Sequence, residues 1–229
     1  MLTSRAANVE GRIIQAAVAL FSRQGFHGTS TRELARLADV SEVTVFRYFK
    51  HKDDIFCSAL QSSFTAIKPC LNSLDRRSKH KTPETMLPEV IGALVDIATF
   101  SPELVRLIAV SLLELRGRAE RICRENLTPL FTAISDYMSR DIESGMIRNL
   151  NPAIVTSAIL LTVIAQPELS RLIEENVPWE LNGRKVIDEY TAFWLDVLEP
   201  FPNQQFSIRR IQMKRPDTSP TQPPDRREY

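Results

Sequence analysis

Apolar positions along the chain recur at helical spacing. Val9, Ile13, Ala16, Ala17, Leu20 and Phe21 fall on one face of a helix over residues 8–25, with Glu10 and Gln15 on the other. Gly25-Phe26-His27-Gly28 then reads as a turn. Ser30 or Thr31 can cap a short helix bearing Leu34, Ala35 and Ala38. Asp39-Val40 forms a second turn, and Ser41 caps another short helix, Glu42 to Phe49, whose Val45 and Phe49 share a face with Val40. Farther along, Thr82-Pro83, Ser101-Pro102 and Asn151-Pro152 each pair a good N-cap with proline at the first helical position. Helices are expected near 53–73, 83–99, 102–115, 118–144 and 185–198, besides one opening at Pro152. Pro69, Pro88, Pro129 and Pro167 are expected to kink or divide the longer ones. No run alternates with period two for more than a few residues, and no hairpin dipeptide occurs. The pattern predicts an all-α chain of about nine helices without internal repeats.

Composition narrows the function classes. Seven glycines in 229 residues are too few for a Gly-rich nucleotide-binding enzyme. Cys57, Cys70 and Cys123 form an odd set with no CxxC spacing, which argues against a disulfide scaffold or structural zinc and fits a reducing cytoplasm. Neither a metal nor a cofactor is expected. His27, His51 and His80 have no catalytic partner that the sequence places beside them, so an enzyme is not expected. The apolar stretch Ala153 to Ala165 falls short of the about 20 residues that cross a bilayer, and no membrane partner is expected. Charge becomes informative when divided. Residues 1–55 carry 8 basic and 6 acidic residues, 56–202 carry 15 and 19, and 203–229 carry 6 and 3. The tail at 203–229 is rich in proline and is expected to be disordered, with Arg209, Arg210, Lys214 and Arg215 solvated in it.

Two short helices joined by a tight turn, with small Ala35 at their crossing, are the parts of a helix-turn-helix, although a generic three-helix core has the same spacing. The amide groups opening these helices, at Ser30-Thr31 and Ser41-Glu42, suit a phosphate partner. Thr44 and Tyr48 supply hydroxyls and Lys52 a cation. Glu42 either caps its helix or accepts from a cytosine amine, and capping is favoured.

The string Gly25-Phe26-His27-Gly28-Thr29-Ser30-Thr31-Arg32-Glu33-Leu34-Ala35, followed by Val40-Ser41-Glu42-Val43-Thr44-Val45-Phe46-Arg47-Tyr48-Phe49-Lys50-His51-Lys52-Asp53, closely resembles the TetR family of bacterial transcriptional regulators. The resemblance covers about residues 9–56. Two positions depart from the common pattern: Asp39 and Val43 stand where relatives often carry glycine, or glycine or proline. The resemblance implies a DNA-binding domain over 1–52 and a helical effector-binding and dimerisation domain over 53–202. It implies that Thr31, Thr44, Tyr48 and Lys52 hold the DNA backbone, while Arg32, Val43, Phe46 and Arg47 lie near base edges.

In the body, Phe64, Phe100, Arg106, Ile108 and Phe131 are candidates to line an effector pocket, with plain core packing the alternative. Arg106 pairs with Glu103 or Glu114, or meets an acidic ligand. Ala153 to Ala165 is apolar all round, and the helix near 185–198 carries two apolar stripes. A dimer is therefore expected through Ile159, Leu161, Ile164, Tyr190, Phe193, Trp194 and Val197. The function implied is a homodimeric, cytoplasmic regulator, a repressor released from palindromic double-stranded DNA by a small molecule. A ligand-independent architectural or activating protein and a helical protein–protein adaptor are the alternatives.

Overall fold

The computed structural model describes residues 2–77, 82–173 and 183–200. Among them the chain forms nine α-helices and no strand: α1 (Leu2–Gln24), α2 (Thr31–Leu37), α3 (Glu42–Tyr48), α4 (Lys52–Arg77), α5 (Pro83–Phe100), α6 (Pro102–Leu113), α7 (Arg118–Glu143), α8 (Pro152–Ile173) and α9 (Gly183–Leu198). Pro83, Pro102 and Pro152 open their helices as the sequence predicted, because proline there gives up an amide that no helical carbonyl would take. The four other prolines do not divide theirs. Pro69, Pro88, Pro129 and Pro167 lie inside α4, α5, α7 and α8, where packing on neighbouring helices outweighs one missing hydrogen bond. The tail at 203–229 and His80 lie outside the described residues.

The buried apolar residues form two clusters. The first joins Ile13, Ala17 and Phe21 of α1 to Leu34 and Ala35 of α2, Val45 of α3, and Ile55, Phe56, Leu60 and Phe64 of α4. It continues into Leu104 and Leu107 of α6 and Ala119 and Cys123 of α7. Phe21 packs on Phe26 and Phe56, with ring centroids 5.8 and 5.1 Å away. The packing thus runs straight across residue 52, and the three head helices have no core separate from α4 and α6. The second cluster is built by α5, α7, α8 and α9 around Leu87, Ile91, Leu94, Tyr137, Ile159, Val163 and Trp194.

Helix α8 is longer than its uncharged stretch. Pro152–Ile173 is long and apolar enough to cross a membrane by length and composition, which corrects the exclusion drawn from Ala153 to Ala165. Within this fold it is a body helix. Val155, Ile159 and Val163 are buried on α5 and α7, and Glu168 forms an ion pair with Arg106 of α6.

Candidate nucleic-acid interface

The two short helices of the head owe their ends to local side chains. Ser30 caps α2: its hydroxyl accepts from the Glu33 amide at 3.2 Å, and the Glu33 carboxylate accepts from the Ser30 amide at 2.9 Å. This reciprocal capping box holds the Glu33 carboxyl below its ordinary range, chiefly through the Ser30 amide. Ser41 caps α3, its hydroxyl accepting from the Thr44 amide at 3.1 Å and lying 2.8 Å from the Thr44 hydroxyl. Each cap stabilises its helix by about 1 kcal/mol. Between the helices Asp39 takes a left-handed conformation at φ +53°, and Arg12 of α1 donates to its carbonyl at 3.3 Å and its carboxylate at 3.4 Å. The turn that often uses glycine is thus held here by a cation from α1.

The hydroxyl of Thr31, first residue of α2, donates to the carboxylate of Glu42, first residue of α3. The two helix N-termini therefore lie side by side. Around them Arg32, Val43, Phe46 and Arg47 are exposed. Val43 is 81% accessible and Phe46 49%, so neither belongs to the core. Tyr48 is half-buried against the first cluster, with the Arg47 guanidinium 5.4 Å from its ring centre. Ser30, Ser41 and Glu42 are exposed, and Thr31 and Thr44 half-exposed, on the same pair of helix starts.

Lys52 has a task the sequence did not reveal. Its ammonium donates to the carbonyls of Phe26 at 2.8 Å and Thr29 at 3.0 Å and lies 4.2 Å from the Phe26 ring centre. It ties α4 to the turn that precedes α2, leaving one of its three N–H groups for any other acceptor. The same turn is gripped from the body. The His27 amide donates to Glu114, just past α6, at 3.0 Å. Gly25 has φ +74°, and a Cβ there would lie 2.4 Å from the same carboxylate. Arg118, opening α7, pairs with Asp54 of α4 at 2.8 Å. Glu114 and Lys52 were both beyond sequence reasoning as positioning residues, because their partners are backbone groups remote in the chain.

The body residues divide differently from the sequence expectation. Phe64 is fully buried core and Ile108 packs on the first cluster, whereas Phe100 is 79% accessible and lines no interior space. Phe131 is half-buried. Arg106 pairs with Glu168, its Nη2 2.8 Å away, rather than with Glu103 or Glu114. Among the dimer candidates, Ile159 and Trp194 are buried in the second cluster of their own chain. Leu161 and Phe193 are exposed, while Ile164, Tyr190 and Val197 are half-buried beside them. Ile154, Leu169 and Leu172 extend the exposed apolar side of α8. Cys57 and Cys123 are buried, and desolvation raises both thiols above their ordinary pKa, the opposite of an activated nucleophile.

Residues 13–59 match the bacterial regulatory proteins of the tetR family. The likeness to the tetR family is shown over this head segment. The chain is 26% identical over 146 residues to the "HTH-type transcriptional repressor NicS" of Pseudomonas putida, an alignment spanning 64% of this chain and 67% of NicS. With the "Probable HTH-type transcriptional regulator YttP" of Bacillus subtilis it shares 47% identity over 88 residues, 38% of this chain and 42% of YttP. Its fold is similar to that of AibR in complex with isovaleryl coenzyme A and operator DNA, with a TM-score of 0.63 at 15% identity over 84% of this chain and all of AibR. These matches place the tetR-family profile over the capped helix pair and extend the likeness of fold through the body.

Proposed function

We propose that this chain is a homodimeric repressor of the tetR family that binds palindromic DNA and is released by a small molecule. The observation that carries the reading is the exposed pair of capped helix N-termini, with Arg32, Arg47, Val43 and Phe46 around them. Phosphates suit the two helix starts and the Thr31, Thr44 and Tyr48 hydroxyls, since an anion complements the positive end of a helix. Arg32 and Arg47 suit guanine edges, and Val43 and Phe46 suit thymine methyls. Lys52 acts first by positioning the turn before α2 and second as a phosphate cation. Glu42 orients the two helices through Thr31.

Dimerisation covers the apolar side of α8 and Phe193 of α9, with Ile164, Tyr190 and Val197 at the margin. Two such chains present two recognition helices to successive half-sites. The body reaches the head through Glu114 and Arg118, so a ligand that shifts α6 or α7 moves the turn before α2. NicS is named a repressor, and AibR was solved with both isovaleryl coenzyme A and operator DNA, which supports the same reading here. The chain acts in the cytoplasm and not as an enzyme. Fluorescence anisotropy on a palindrome selected from genomic fragments tests the proposal. Binding should fall steeply with salt, because each neutralised phosphate releases counterion, and a metabolite fraction should weaken it. Salt-independent or absent binding would leave a protein–protein adaptor; tight binding that no metabolite weakens would leave the architectural role.

A further inference from the structure

Glu42 is exposed on the same side of α3 as Val43, Phe46 and Arg47, while Val45 turns into the core. Glu42 and Phe46 are four residues apart, so they stand one above the other on that side. The exposed strip therefore carries two apolar groups, one cation and one carboxylate. Phosphates repel a carboxylate, so Glu42 weakens the grip on a duplex unless the duplex supplies it with a donor.

The fold itself makes little use of this acid. The hydrogen-bonded cap of α3 is Ser41, whose hydroxyl accepts from the Thr44 amide at 3.1 Å. Among the described residues Glu42 forms no ion pair, and the Thr31 hydroxyl is the one donor that meets its carboxylate. Thr31 is not needed as a cap either, because Ser30 and Glu33 close the start of α2 between them. The Thr31 bond ties Oε1 to the neighbouring helix and leaves Oε2 without a protein donor. An exposed glutamate ordinarily samples several rotamers; this tether aims the carboxylate before any ligand arrives. The hydroxyl has one proton, so Thr31 holds a phosphate only by releasing Glu42.

The bases differ in what they show a group that can only accept. In the major groove guanine presents two acceptors, thymine an acceptor and a methyl, adenine a donor beside an acceptor, and cytosine a donor alone. A carboxylate thus meets an unopposed donor at cytosine and a competing lone pair at each of the others. We propose that Glu42 is a specificity-determining residue whose Oε2 accepts from the exocyclic amine of one cytosine in each half-site, with Thr31 as the positioning residue that aims it. The inference rests on the DNA-binding reading above and goes further by naming the base. Glu42 discriminates as much by weakening sites without this donor as by holding the site that has it.

Selection of duplexes from a randomised library by the full chain, then anisotropy on the selected palindrome and its single-base variants, tests the proposal. The wild type should select cytosine at one position of each half-site, and replacing that base should weaken binding at least about tenfold. Glu42→Ala should bind all four bases there within about twofold of one another, and should hold random DNA several-fold more tightly once the repelled charge is gone. Glu42→Gln should move the preference from cytosine to adenine, whose donor and acceptor suit an amide. Thr31→Val should reduce the cytosine preference to about threefold, read as a ratio between bases so that a lost phosphate contact does not enter it. Circular dichroism should show each variant as helical as the wild type. A cytosine preference that survives Glu42→Ala overturns the proposal, and a full preference in Thr31→Val removes the positioning role. A wild type that enriches no duplex sinks the DNA-binding reading itself, an outcome distinct from a selected palindrome that Glu42→Ala leaves unaltered.

Discussion

The head and the far half of the body are held together by different kinds of bond, and each kind fails in its own way. Around the first cluster, polar bonds fix particular backbone atoms. Ser30 and Ser41 cap their helices, Lys52 holds two carbonyls, Arg12 holds the Asp39 turn and Glu114 holds the His27 amide. The second cluster depends on apolar contact among four long helices, and it tolerates buried polar atoms without partners on Asp141, Thr156 and Trp194. A surface that must meet a duplex in one register needs its backbone specified. A body that encloses or pairs through apolar area needs only shape and volume.

The largest expected effect sharpens this contrast within the body. Trp194→Ala empties a core position of α9 and should destabilise the fold by about 3–5 kcal/mol in chemical denaturation. Its neighbour Phe193→Glu should leave folding intact and yield a monomer in sedimentation, as should Leu161→Glu. A Phe193→Glu chain that unfolds, or remains dimeric, would break the division between core and interface.

In the head, Lys52→Ala removes two charge-assisted bonds and should cost about 1.5–3 kcal/mol of stability even without DNA. An unchanged melting temperature with weaker DNA binding would return Lys52 to a purely phosphate-binding role. Gly25→Ala combines an unfavourable left-handed alanine with a Cβ placed against Glu114, and it should cost at least about 1–2 kcal/mol. Adding Glu114→Ala should recover the steric part but not the conformational part. Full additivity of the two changes would show that the carboxylate does not press on this turn.

The smallest effect concerns pH. Glu33 has a lowered pKa in the fold, so its contribution is present above the unfolded carboxylate's pKa and is lost as pH falls through the folded value. Glu33→Gln should lower stability slightly at neutral pH, leave it unchanged at acid pH where the wild-type carboxyl is also protonated, and so flatten the acid side of the stability profile.

Much of this was legible in advance because it is local. Helix starts at Thr82-Pro83 and Ser101-Pro102 and the caps at Ser30 and Ser41 depend on residues within four positions of one another, so the sequence alone determined them and with them the all-α fold. The order of capped helices in the head was readable for the same reason. Only the tertiary structure decided which side of an amphipathic helix faces its own chain. Ile159 and Leu161 are two residues apart on one apolar helix, yet the first is buried and the second exposed, because α5 and α7 cover one side of α8 and leave the other. The same reason hid Lys52, Glu114 and the Arg106–Glu168 pair: each joins groups more than 20 residues apart, and composition carries no record of such distances.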